Sequence, residues 1–124
     1  MNGIEKTATA FITPSYRFID KLVISSFQDD ETTSYLLTLY VNTEKLKRWL
    51  SISPNFFSST GKLKKDLVDR PFNSFTQLVD ETDSRAVSMA KKLTQDIKKD
   101  FYLARKMSGM EYPSGLVSLR IVLQ

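Results

Sequence analysis

Two short acidic runs, Asp29-Asp30-Glu31 and Asp80-Glu81-Thr82-Asp83, are the main catalytic material in this chain, because grouped carboxylates can hold a hard cation or divide acid and base work. Neither has the spacing of a ligand set. The first lies between two β-rich runs, where it reads as a hairpin turn. The second precedes a long helical pattern, where acidic residues favour the positive end of the helix dipole. Serines at 51, 53, 58 and 59 have no nearby base other than lysine, and neither a GxSxG elbow nor a P-loop occurs. With no Cys and no His there is no thiolate nucleophile, imidazole base, haem ligand, disulfide or Cys/His zinc site. The expectation is a protein that is not an enzyme and needs no cofactor or metal.

A second constellation is basic and aromatic. Lys45, Lys47, Arg48, Lys62, Lys64 and Lys65 surround Trp49, Phe56 and Phe57, and cations interleaved with aromatic rings can hold a single nucleic-acid strand. The net charge of +4 is modest, and no RNP-like motif, zinc knuckle or helix-turn-helix signature supports that use. Trp49 reads better as core. The charge is nonetheless uneven. Residues 1–41 carry 3 Lys/Arg against 5 Asp/Glu, whereas 42–70 and 83–106 each carry 7 against 3. Such a surface can meet nucleic acid, an acidic protein, or only water.

These residues must be positioned by one small domain, because 124 residues with 41% hydrophobic and 26% charged content, 4 Gly and 4 Pro match a single globular unit spanning 1–124. No signal-peptide pattern opens the chain and no apolar run approaches membrane-spanning length, which predicts a soluble intracellular protein. Lys21–Phe27 and Ser34–Val41 read as a hairpin, with a weaker strand at Thr7–Thr13 before it. In Ser34–Val41, Tyr35, Leu37, Leu39 and Val41 alternate onto one face, yet Leu36 and Tyr40 make the other face apolar too. Asn42-Thr43-Glu44 could cap a helix bearing Leu46, Trp49 and Leu50, while Trp49–Ser53 also alternates like a strand; both readings stay open. Asn55–Gly61 is loop-like, and Arg70-Pro71 ends any helix begun at Lys62.

Thr82/Asp83 starts the strongest helix, with Ala86, Ala90, Leu93 and Ile97 as its buried stripe. Arg85, Lys91, Lys92, Lys98 and Lys99 fall on its solvent side. Asp100–Lys106 alternates in aromatic fashion, and Leu116–Leu123 alternates cleanly after a Gly- and Pro-containing segment, so a C-terminal hairpin is expected. The fold class predicted is α+β, a mainly antiparallel sheet with one principal amphipathic helix and a C-terminal hairpin. One helix cannot cover a sheet whose strands are apolar on both faces, which implies a second chain.

The run Phe75-Thr76-Gln77-Leu78-Val79-Asp80-Glu81-Thr82-Asp83, continuing to Ala90-Lys91-Lys92-Leu93, resembles the proteasome assembly chaperone 4 family. That family has a similar Thr-x-Leu-x-Asp-x-x-Asp strand exit, followed by a helix containing Ala, two polar or basic residues and Leu. The order of elements over about 100 residues is similar as well. The resemblance implies a non-enzymatic chaperone that pairs with assembly chaperone 3 and orders α-type subunits of the 20S proteasome ring, in the cytoplasm and also the nucleus. It further implies that Leu46–Ser53 is largely strand and that the helix ends near Lys98. Because such proteins act through surfaces, no functional residue transfers one by one. The partner-binding candidates are therefore those of the charge and strand patterns: Lys91, Lys92, Lys98 and Lys99 on the helix, Leu119 and Ile121 on the last strand.

Overall fold

A computed structural model describes residues 2–7, 16–52, 63–64, 67, 69–107 and 114–124. They form an α+β fold in which a four-stranded sheet, ordered β1-β2-β3-β4, carries its helices on one face.

β2 (Ile19–Asp29) and β3 (Thr32–Val41) make the expected hairpin, antiparallel from Ile19 opposite Val41 to Asp29 opposite Thr32. Asp30 occupies the tight turn with φ of 51°, a left-handed conformation that Asp tolerates better than most side chains. Ser114 ties the turn down by accepting from the Thr33 amide at 2.8 Å and donating to the Glu31 carbonyl at 3.2 Å. β1 is Asn2–Thr7 and pairs antiparallel with β2 from the other side, earlier than the Thr7–Thr13 expected; residues 8–13 lie outside those described.

Three local assignments differ from the sequence reading. Residues 43–52 form helix α1 (Thr43–Ile52), so the strand implied for Leu46–Ser53 is not formed. The Asn42 carboxamide accepts from the Lys45 amide at 3.0 Å, capping the helix, and Leu46 and Leu50 are buried one turn apart while Ile52 is 76% exposed. A strand would have placed Leu50 and Ile52 on the same side.

The principal helix, α2 (Ser84–Met107), runs 24 residues instead of ending near Lys98, and it absorbs the aromatic segment expected as a strand. Phe101 continues the buried stripe of Ala86, Ala90, Leu93 and Ile97, whereas Leu103 is left 47% exposed. No Gly or Pro interrupts this stretch, so the helical period prevails.

The C-terminal hairpin is consequently absent. β4 (Val117–Leu123) lies parallel to β3, with Tyr35 opposite Val117 and Val41 opposite Leu123. α2 extends about 36 Å at 1.5 Å per residue, so it spans the sheet and returns the chain beside the start of β3.

The Asp80 carboxylate accepts from the Thr82 amide and hydroxyl at 3.0 and 2.8 Å, which holds its pKa below the usual carboxylate range. Asp83 then caps α2, accepting from the Ala86 amide at 3.1 Å. Both acidic runs thus build turns and a cap, and among the described residues no group of three His, Cys, Asp or Glu side chains gathers as for a metal ion.

Candidate functional site: an outer sheet face and a cationic ridge

The alternation of the strands divides the sheet into two unlike faces. Leu22, Tyr35, Leu37, Leu39, Val41, Val117, Leu119 and Ile121 enter the core with the buried stripes of α1 and α2. The other face bears Lys21, Val23, Ser25 and Phe27 from β2, Ser34, Leu36, Thr38 and Tyr40 from β3, and Ser118, Arg120 and Val122 from β4. Val23, Phe27, Leu36, Tyr40 and Val122 are each half-buried and lie outside the core cluster. Lys21 sits 5.5 Å from the centre of the Tyr40 ring, a cation–π contact within this face.

Thr38 occupies the middle of the face. In its cross-strand row Val23 stands on one side and Arg120 on the other. It is 0% exposed and its hydroxyl has no hydrogen-bond partner, an unusual state for a buried polar group.

The sequence candidates divide accordingly. Leu119 and Ile121 are 3% and 0% exposed, turned into the core, and so are not available to a partner. The period of two reverses that assignment: Ser118, Arg120 and Val122 are the residues of β4 that face outward. Lys91, Lys92 and Lys99 are exposed and Lys98 half-buried on α2, on the side away from the core, with exposed Arg85 one heptad before Lys92. Sequence patterning identified this ridge. It identified the second apolar face as well, but without the parallel pairing of β4 it could not give that face its membership.

Of the basic-aromatic constellation, Lys45, Lys47, Arg48, Trp49 and Lys64 are described. Lys45 pairs with Asp20 at 3.5 Å and Lys47 with Glu44 at 3.6 Å. Trp49 packs against Phe18 and Tyr16, with ring centres 5.1 and 6.1 Å away. Phe56, Phe57, Lys62 and Lys65 lie outside the described residues. Among the described residues no helix is long and apolar enough to cross a membrane. Compared with known proteins, the chain matches no family model, no curated protein and no solved structure.

Proposed function

We propose that this chain is a non-enzymatic chaperone for assembly of the 20S proteasome α-ring, acting as a heterodimer with a second small chaperone. The observation that carries the reading is the half-buried apolar sheet face of Val23, Phe27, Leu36, Tyr40 and Val122, which lies on the side of the sheet away from the core cluster. Apolar surface of this kind is stabilised by a partner, at roughly 25 cal/mol per Å² buried before the costs of ordering. The choice of partner and client comes from the resemblance of Phe75–Leu93 to assembly chaperone 4. Its structural implications do not hold: Phe75–Leu78, before the helix, is a 3-10 helix and not a strand, residues 46–52 are helical, and α2 continues past Lys98 through the segment expected as an aromatic strand at Phe101–Lys106. The reading therefore rests on the sheet face and the Phe75–Leu93 junction, with action in the cytoplasm and nucleus as its consequence.

The test is affinity capture of the tagged full chain followed by mass spectrometry, beside a Leu36→Lys variant. Capture of α-type proteasome subunits with a second small chain is expected, and Leu36→Lys should lose the small chain while keeping its helical circular dichroism. Recovery of neither would overturn the proposal, as would nucleic acid released between about 50 and about 300 mM salt.

A further inference from the structure

We propose that Ser51 is a phosphate-acceptor site for a serine kinase that selects basic sequences, and that the phosphate opens the last turn of α1. The segment Lys47-Arg48-Trp49-Leu50-Ser51-Ile52 puts cations three and four positions ahead of the hydroxyl and an apolar side chain directly after it. Kinases of that class read such a segment with carboxylates for the arginine and an apolar pocket for the following residue, because guanidinium and carboxylate make a strong charge-assisted pair. Three serines of the chain, Ser51, Ser88 and Ser108, have arginine at the third position before them. Ser108 lies outside the described residues, and Ser88 is set inside the 24-residue α2 with half-buried Met89 after it. Ser51 stands one residue from the end of α1, exposed together with Arg48, and Ile52 after it is 76% exposed. Terminal turns open locally far more readily than helix interiors, which an enzyme that binds its substrate extended requires.

The step is a phosphoryl transfer. Ser51 Oγ forms a bond to the γ-phosphorus of ATP as the bridging bond to ADP breaks, and the hydroxyl proton passes to the kinase's catalytic carboxylate. In the unmodified chain that hydroxyl donates to the Arg48 carbonyl at 2.8 Å, a bond the phosphate ester cannot make. The phosphate also brings about two negative charges to the end of α1 at which the helix dipole is already negative, and the last turn of α1 holds no basic residue. Arg48, one turn earlier, meets the phosphate in the order of cation before anion that helices favour less. These effects together disfavour helix at residues 49–52. Leu50 is 3% exposed, so opening that turn withdraws an apolar side chain from the core. Trp49 belongs to the same turn and packs on the Phe18 and Tyr16 rings, 5.1 and 6.1 Å away.

The site is independent of any assembly partner, and its test contains none. The full chain is incubated with ATP and a purified basic-sequence-selective serine kinase, the cyclic-AMP-dependent enzyme serving as probe, and the phosphate is located by mass spectrometry. Phosphate is expected on Ser51, and its incorporation there should fall on the order of tenfold in Arg48→Gln, which loses the charge-assisted pair to the kinase. Trp49 is the chain's one tryptophan, so its fluorescence reads the turn directly. Emission should move to longer wavelength as phosphate is added and stay unchanged in Ser51→Ala treated alike. Absence of phosphate from Ser51, preference for Ser88 or Ser108, or a phosphorylated Ser51 with unchanged Trp49 emission would overturn the inference. If Arg48→Gln misfolds, the mapped site and the Trp49 emission of the wild-type chain beside Ser51→Ala still decide.

Discussion

Arg105 Nη2 donates to the Tyr35 hydroxyl at 2.6 Å while its guanidinium carbon lies 4.9 Å from the centre of the same ring. Phe101, one turn earlier on α2, meets that ring edge-on at 5.1 Å. Tyr35 is therefore the point on β3 to which the last turns of α2 attach, and it is only 8% exposed. Tyr35→Phe should keep the packing and lose the bond, costing about 1–3 kcal/mol because a charged donor is left short of a partner whose Nε is already buried and unpaired. Urea denaturation would check this: an unchanged midpoint would show that the hydroxyl contributes nothing.

The environment of Tyr16 makes stability depend on alkaline pH. Burial, and then the neighbouring Asp100 and Asp96 carboxylates, raise its pKa from 10.0 to about 12. The folded state therefore holds this proton after the unfolded chain has released it. The contribution is fully present below pH 10 and is lost as pH rises from there through about 12. Ultraviolet difference titration should find a late-ionising component that is lost in Tyr16→Phe and ionises earlier in Asp100→Asn. An unchanged late component in Tyr16→Phe would refute the assignment.

Thr38 carries a hydroxyl that is buried and unpaired. Thr38→Val preserves the shape and removes the unsatisfied group, so thermal melting of the isolated chain should show unchanged stability or a gain of about 1–2 kcal/mol. A loss of similar size would mean that the hydroxyl does have a partner in solution.

Gly115 is fixed by close approach to the β2–β3 hairpin. A Cβ there would come within 2.2 Å of Ser34 Oγ and 3.2 Å of the Thr33 carbonyl, which accepts from the Gly115 amide at 2.9 Å. Gly115→Ala should cost about 1–3 kcal/mol by overpacking. Adding Ser34→Ala should recover part of that loss; strictly additive effects would place the strain elsewhere.

Local patterns were enough for the β2–β3 hairpin, whose alternation and acidic turn are written between Lys21 and Val41, and for the start of α2, where Asp83 precedes an unbroken apolar stripe. The cationic ridge was equally legible, since helical period alone puts Arg85, Lys92 and Lys99 in line. Tertiary structure decided the elements with two periodicities. Trp49–Ser53 and Asp100–Lys106 each fit strand and helix over a few residues, and the choice fell to the faces that bury Leu46 with Leu50 and Ile97 with Phe101. The direction of β4 was beyond local reading as well: Val117–Leu123 alternates identically in a parallel or antiparallel pairing. The length of α2 makes it parallel by carrying the chain back to the start of β3. That pairing, stabilised only by contacts far apart in sequence, sends Leu119 and Ile121 into the core and Arg120 and Val122 to the outer face.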